Sequence, residues 1–187
     1  RLGLNEIKGE LQDLCLKYLE PNDYLEIQEF LNTKVKYREE SIHKLEKKIA
    51  DMLLPTKIPF EIKARVKRPY SIWKKLREKQ LTFETIYDIV ALRIITQTEL
   101  NCYEILGLIH SEYSPLPGRF KDYVAVPKPN MYQSLHTTII DRDSSIIEIQ
   151  IRTKEMDIIA ENGVAAHWRY KENSKYDPKK EQLEIME

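Results

Sequence analysis

One segment constrains the fold more than any other: residues 89–96, which read IVALRIIT. Every side chain except that of Arg93 is aliphatic or β-branched. A run of this kind is typical of a strand that is buried on both faces. The chain is therefore expected to fold in layers around this strand. The lone guanidinium of Arg93 needs a partner there. That partner has either a purely structural role or is one of the two candidate site carboxylates, Asp88 and Glu148.

The region before this strand, residues 1–54, has a helical pattern. Apolar residues recur at steps of three and four on one face of a first helix. Pro21 ends that helix, and a second helical stretch runs to about Leu54. We interpret residues 1–54 as a helical lead-in. The apolar face of the first helix consists of Leu4, Ile7, Leu11, Leu14 and Tyr18.

After Pro59 the apolar period changes from helical to alternating. Residues 60–67 predict a half-buried strand with one cationic face, and Pro69 is suited to the first turn of a following helix. Further along the chain, the pattern predicts a helix at 98–112, strands at 133–140 and 145–152 joined by a polar turn at 141–143, short helices at about 153–161 and 164–172, and a charged tail from 173. Strands interleaved with helices favour an α+β fold with a mixed sheet.

Composition excludes several classes of protein. Thirty basic residues balance thirty acidic ones, so no global field would hold the molecule on nucleic acid or a membrane. No apolar run reaches the roughly 18 to 20 residues of a membrane-spanning helix. We expect Cys15 and Cys102 to be reduced thiols of a cytoplasmic protein. The four histidines have no zinc-site spacing,.

The first candidate site is the basic strand and helix at 61–80, which has a local excess of six positive charges. Alternation places Lys63, Arg65 and Lys67 on one strand face. The N-terminus of the next helix is expected to add free N–H groups, and together these could hold a polyphosphate. A solvated charged surface and a nucleic-acid interface remain alternatives.

The second candidate site is a pair of carboxylates that are distant in sequence. Asp88 directly precedes the buried strand, and Glu148 shares one face of a later strand with Gln150 and Arg152. Two carboxylates on neighbouring strands can hold a Mg²⁺ ion that also binds substrate phosphates. Alternatively, each carboxylate is only solvated or paired with a cation.

The third candidate site is the proline-stiffened segment 117–136, PGRFKDYVAVPKPNMYQSLH. A tyrosine face for stacking, an amide for a base edge and several cations for phosphates could together bind a purine nucleotide. Simple packing of the tyrosines is the alternative. The groups concerned are Arg119, Lys121, Asp122, Tyr123, Lys128, Asn130, Tyr132 and His136.

These motifs resemble, in the same order, the synthetase domain of RelA/SpoT-type alarmone enzymes, and the resemblance covers essentially the whole chain. The matching segments are ARVKRPYSIWKKL (64–76), YDIVALRII (87–95), PGRFKDYVAVPKPNMYQSLHTT (117–138), EIQIRT (148–153) and ENGVAAHWRYKE (161–172).

The resemblance implies a nucleotidyltransferase-like, polymerase-β-related fold. It implies Mg²⁺-dependent transfer of pyrophosphate from ATP to the 3′-hydroxyl of GDP or GTP in the stringent response. Residues 1–54 would follow a hydrolase module outside this sequence, 55–172 would be the synthetase domain and 173–187 a tail. The partners implied are ATP, GDP or GTP, the hydrolase and regulatory modules, and a ribosome contacted through regions outside this sequence.

The resemblance also implies roles for single residues. Asp88 would be the principal Mg²⁺ ligand, and Glu148 would complete the metal site or help to deprotonate the hydroxyl. The residues on the ATP side would be Arg65 stacking on adenine, Lys67 on the phosphates, and Ser71 and Lys75 nearby. Those on the guanosine side would be Tyr132 stacking on the base, Asn130 close to it, and Arg119, Lys121, Lys128 and His136, the last three against the phosphates.

Two details refine the expectation. The segment from Arg119 to Asp122 matches the basic R-x-K-D variant of bifunctional members, which implies a preference for GDP and no second metal. Residues 64–67 read ARVK where the family usually has Gly-Arg-Pro-Lys, so the ATP loop departs from the pattern. The rival hypothesis is a catalytically silent RNA- or protein-binding module that uses the basic stripe at 61–80.

Overall fold

The computed structural model describes residues 5–80, 82, 83, 86, 90–141 and 146–163. Asp88, part of the 141–143 turn, the helix predicted at 164–172 and the tail from 173 lie outside these residues, so those predictions stay open. The elements are α1 (Asn5–Leu19), α2 (Pro21–Leu53), a short 3₁₀ helix (Leu54–Thr56), β1 (Phe60–Val66), α3 (Pro69–Lys79), β2 (Val90–Thr96), α4 (Glu99–Glu112), β3 (Ser114–Pro115), β4 (Lys121–Asp122), β5 (Leu135–Ile140), β6 (Ile146–Thr153) and α5 (Lys154–Asn162).

The described strands form one six-stranded mixed sheet. Its order is β1-β2-β6-β5-β3, and β4 pairs separately with β5. Only the β2–β6 pair is parallel, with Ala91 opposite Glu148, while the other pairs are antiparallel. The predicted α+β architecture with a mixed sheet is thus confirmed.

The two faces of the sheet differ in polarity. On β6, Ile147, Ile149 and Ile151 are buried on the face that packs in one core with apolar residues of α2 and α4. The opposite face carries polar side chains, and α5 reaches it through ion pairs to β2 and β6. This alternation confirms the predicted division of the strand. The polar face is therefore the place where the candidate site can form.

Strand β1 is more exposed than the sequence pattern predicted. Phe60 and Ile62 are partly buried, but every residue from Lys63 to Val66 is exposed. The strand lies at the edge of the sheet and pairs only with β2 among the described strands. Its second half therefore borders an open cleft and is not covered by a packed layer.

Helix α1 forms as predicted, but its apolar stripe does not enter the core. Ile7, Leu11, Leu14 and Tyr18 are about half exposed or more, while Leu16 is buried. The helix presents its other side to α3 and α5. A Cβ atom on Gly9 would lie 2.6 Å from the Arg68 side chain, so glycine permits this close approach.

The N-terminus of α3 corrects one expectation. Its N–H groups were predicted to be free for phosphate, but Asp13 of α1 accepts a hydrogen bond from the Tyr70 N–H at 2.9 Å. The N–H groups of Ser71 and Ile72 donate to the Arg68 carbonyl. Asp13 also pairs with Arg68 at 3.3 Å. A carboxylate from another helix thus supplies the cap that a helix start requires.

Among the described residues, no helix is both long and apolar enough to cross a bilayer.

Candidate active site

The register of the sheet brings four of the predicted site residues, Arg65, Lys121, His136 and Glu148, to its polar face. Arg65 pairs with Ala91, and Ala91 with Glu148, so these side chains share one face. His136 lies opposite Gln150 on one side and opposite Lys121 on the other. Strands β1, β5 and β4 therefore bring basic residues to the face on which β6 carries Glu148, and the period of two along each strand is sufficient to do this.

Glu148 lies at the centre of this face, and its side chain is 16% exposed. One of its oxygens accepts a hydrogen bond from Gln150 at 2.9 Å and lies 3.4 Å from His136 Nδ1. The other oxygen lies 3.9 Å from Lys67 Nζ. Burial raises the pKa of Glu148, but the hydrogen bonds from His136 and Gln150 and the charge of Lys67 outweigh it. The pKa falls to about 2, so this carboxylate is ionised at neutral pH.

An aromatic and cationic cluster lies beside Glu148 on the guanosine side predicted from the sequence. The Tyr132 hydroxyl is 2.8 Å from His136 Nε2, and the rings of Tyr123 and His136 meet edge-on with centroids 5.5 Å apart. Lys128 Nζ lies 4.3 Å from the centre of the Tyr123 ring and 5.1 Å from that of Tyr132. Both distances are typical of cation–π contacts. Burial raises the pKa of Tyr132, so its hydroxyl keeps its proton.

The loop between β4 and β5 is held by its own polar groups. Asn130 Oδ1 accepts the Tyr132 N–H at 3.3 Å, and the Lys128 N–H donates to the Tyr132 carbonyl at 3.1 Å. Met131 between them has a φ of 61°. Asn130 therefore shapes the turn that presents Tyr132. A direct contact of its amide with a base stays a prediction. Arg119 is exposed in the connection that precedes β4.

The predicted ATP side is a cleft at the open edge of the sheet. A cavity of about 350 Å³ lies between β1, β2 and α5 and is lined by Lys63, Arg65, Arg93 and Glu161 among others. A neighbouring cavity of about 250 Å³ is lined by residues that include Ser71 and Tyr132. Ser71 and Arg65 are exposed, while Lys75 is partly buried. Arg65 and Ser71 thus line the same cavity as the acceptor-side Tyr132.

Two arginines beneath this cleft form a buried cluster that the sequence reasoning largely missed. Arg93 is 8% exposed and Arg152 is 1% exposed. Asp157 Oδ1 lies 3.2 Å from Arg93 and 2.7 Å from Arg152. Glu161 Oε1 lies 2.8 Å from Arg93, 3.6 Å from Arg152 and 3.8 Å from Arg65.

This cluster answers the question of what Arg93 pairs with. Glu148 was one expected partner, but Asp157 and Glu161 of α5 take that place. These two residues are four apart and so lie on one helix face, which is the only sequence signal that could have indicated them. Within the part of the chain that the structure describes, Arg93 Nε and Arg152 Nε have no hydrogen-bond partner. The two guanidinium groups therefore retain donors that the described side chains leave unsatisfied.

Glu148 fits a magnesium site as one ligand. An ionised carboxylate oxygen is a ligand that Mg²⁺ prefers, and Mg²⁺ usually retains water and substrate phosphates as its other ligands. Among the residues that the structure describes, no group of three or more His, Cys, Asp or Glu side chains could hold a metal ion. Asp88, the other ligand that the resemblance implies, lies outside those residues.

Comparison with known proteins identifies the family. Residues 64–175 match the model of the region found in RelA / SpoT proteins, so the chain belongs to this family. A GTP pyrophosphokinase of Myxococcus xanthus is 49% identical over 172 residues, which are 92% of this chain and 23% of that protein. The chain spans about a quarter of the length of the curated relatives it matches.

Solved structures agree with the fold. The small alarmone synthetase 2 of Bacillus subtilis is 28% identical, with a TM-score of 0.59 over 82% of this chain and 87% of that one. The small alarmone synthetase 1 of Bacillus subtilis, bound to its product pppGpp, is 26% identical, with a TM-score of 0.56 over 84% and 86% of the two chains. The predicted nucleotidyltransferase-like fold is confirmed. None of these matches supports the alternative of a silent RNA- or protein-binding module.

Proposed function

We propose that this domain transfers the β,γ-pyrophosphate of ATP to the 3′-hydroxyl of GDP or GTP and thus makes the alarmone of the stringent response. The relatives named GTP pyrophosphokinase and the product-bound neighbour support this proposal. Because the chain spans only a quarter of such relatives, the proposal concerns this domain. Hydrolase and regulatory modules, and a ribosome reached through them, are proposed partners of the longer protein.

One observation carries the proposal: Glu148 bridges the two halves of the site. It lies 3.9 Å from Lys67 on the ATP side and 3.4 Å from His136 on the guanosine side. Transfer of a phosphoryl-type group needs positioning and charge neutralisation more than covalent help. An ionised carboxylate between a basic cleft on one side and an aromatic and cationic cluster on the other has the composition this reaction requires.

The low pKa of Glu148 favours one of the two roles that the resemblance implies for it, that of a metal ligand over that of a base for the attacking hydroxyl. A carboxylate with a pKa of about 2 is a weak base,, so its favoured role in the resting site is that of a ligand and a fixed negative charge. Bound Mg²⁺ would supply neutralisation of the donor phosphates, held by Glu148 together with Asp88. Lys67 would contact the same phosphates, and Arg65 would lie against the adenine.

On the acceptor side, Tyr132 would stack on guanine while Lys121, Lys128 and His136 contact the phosphates. His136 is oriented by Tyr132 through one ring nitrogen and by Glu148 through the other. The basic Arg119–Asp122 segment supports a preference for GDP over GTP. Initial rates with each acceptor at equal concentration test this preference, and faster use of GTP would reject it.

Thin-layer chromatography of γ-labelled ATP with GDP and Mg²⁺ tests the activity. Wild type is expected to form a labelled guanosine product, and Asp88→Ala and Glu148→Ala to form none. Glu61→Ala is the matched control, because this exposed carboxylate on β1 pairs only with Lys63 among the described ion pairs. Product from the control and none from the other two variants supports the metal site. Undiminished product from both would reject the assignment of these carboxylates, and no product from wild type would reject the activity.

A further inference from the structure

Helix α4 contacts β4 at the start of the acceptor loop, the segment 121–134 that runs from β4 to β5, through a side chain that the proposed reaction does not use. The hydroxyl of Tyr103 lies 3.0 Å from Asp122 Oδ2 and 3.3 Å from Asp122 Oδ1. Tyr103 is 37% exposed, so packing in the core does not account for the position of its side chain. Burial, together with the Asp122 carboxylate, raises the pKa of Tyr103. The hydroxyl therefore keeps the proton that it donates.

Asp122 in turn fixes the backbone of the loop. Its Oδ1 accepts the Val124 N–H at 3.0 Å and the Ala125 N–H at 2.8 Å, which closes a turn of the kind that aspartate side chains form. Val124 is buried, and this anchors the turn in the core. Oδ2 has Tyr103 as its only described hydrogen-bond partner. Tyr103 thus sets the orientation of the carboxylate that organises the turn.

This turn positions two acceptor-side groups. Lys121, on β4, lies opposite His136 in the sheet. Tyr123, the next residue after Asp122, donates its N–H to the Ser134 carbonyl at 3.1 Å. Its ring packs edge-on against His136 and lies beneath Lys128. A rotation of Asp122 would therefore be transmitted to both of its chain neighbours.

The hydrogen bonds also explain how an acidic residue can stand in a basic loop. A polyphosphate near Lys121 would be repelled by an adjacent carboxylate that was free to turn toward it. Three donors, the Tyr103 hydroxyl and two backbone N–H groups, hold this carboxylate on the α4 side of the loop. Such charge-assisted hydrogen bonds are stronger than neutral ones.

We propose that Tyr103 is a positioning residue for the guanosine acceptor, which acts by holding the Asp122 carboxylate toward α4 and away from the acceptor phosphates. This inference rests on the proposed synthetase function and adds a residue to it. Tyr103 touches no nucleotide in this proposal. Its effect is therefore confined to acceptor binding, and both the chemical step and ATP binding are independent of it.

Steady-state kinetics of Tyr103→Phe test the proposal, because this variant removes the hydroxyl and keeps the ring. The KM for GDP is expected to rise about fivefold, the effect of losing one partly exposed hydrogen bond to a charged group. The kcat and the KM for ATP are expected to stay within about twofold of wild type. Asn101→Ala is the matched control, since Asn101 lies on the same helix and, among the described residues, its side chain hydrogen-bonds only Glu104.

A double-mutant cycle tests whether Tyr103 acts through Asp122. In an Asp122→Ala background, Tyr103→Phe is expected to cause no further rise in the KM for GDP. A full fivefold rise in that background would overturn the proposal, as would an unchanged KM for GDP in the single variant or an equal fall in kcat. These outcomes all require an active wild type, so an inactive wild type rejects the synthetase function itself and not the role of Tyr103 alone.

Discussion

Replacing Glu148 with glutamine gives the sharpest test of the site's electrostatics, because the folded protein holds the pKa of this carboxyl at about 2 and its ordinary value is 4.5. A pKa lowered on folding means that ionisation stabilises the folded state. This contribution is fully present above pH 4.5 and is lost as the pH falls toward 2. The difference between these two pKa values corresponds to about 3 kcal/mol at neutral pH.

The assay is urea unfolding of wild type and Glu148→Gln, followed by tryptophan fluorescence between pH 7 and pH 3. Wild type is expected to lose about 2 kcal/mol more of its unfolding free energy over this range than the variant, since the contribution at pH 3 has fallen to roughly 1 kcal/mol. Glu148 is 16% exposed, so solvent screening reduces this only modestly. Glu61→Gln, which alters an exposed carboxylate, should follow the wild-type curve.

The refuting result is a Glu148→Gln curve that runs parallel to wild type from pH 7 to pH 3. It would mean that His136, Gln150 and Lys67 do not stabilise the charged form as their distances indicate. A variant that is less stable than wild type by the same amount at every pH is one such parallel curve. Such a constant loss would come from packing, not from ionisation.

Two further substitutions test the supports around the site. Asp157→Ala removes one of the two carboxylates that the buried Arg93 and Arg152 share. Because this leaves Glu161 to compensate both guanidinium groups, we expect a loss of about 3 kcal/mol in urea unfolding, and an unchanged midpoint would contradict it. Asp13→Ala removes the cap of α3 and should cost about 1 kcal/mol. Asp13→Asn should recover most of this, because an amide oxygen still accepts the Tyr70 N–H; equal losses in both variants would argue against the cap.

The parts of this molecule that the sequence predicted correctly depend on local signals. Residues 89–96 could be assigned to a buried strand because a short run rich in β-branched and aliphatic side chains is typical of one, and β2 forms at Val90–Thr96. Pro21 correctly marked the end of the first helix, because proline breaks the helix that precedes it, and α1 ends at Leu19. The common face of Glu148, Gln150 and Arg152 followed from the period of a strand alone.

The parts that were missed depend on which elements meet in space. Nothing local indicates that Asp13 would cap a helix 57 positions away in the chain, or that Arg93 would pair with α5 and not with Glu148. The apolar stripe of α1 predicted a helix but could not indicate that its side chains would stay exposed. A hydrophobic period reports which residues share a face, and the partner of that face is decided by the tertiary fold.

Two carboxylates of α5, those of Asp157 and Glu161, affect how tightly an anion can be held in the cleft. Asp157 and Glu161 already compensate the arginines beneath it, so a simple count of lysines and arginines overstates the attraction that an arriving polyphosphate would feel. Part of the interaction would be an exchange of one set of negative partners for another within the protein. Binding should consequently weaken less steeply with added salt than the number of cations in the cleft would suggest, which leaves the affinity to depend on shape and stacking.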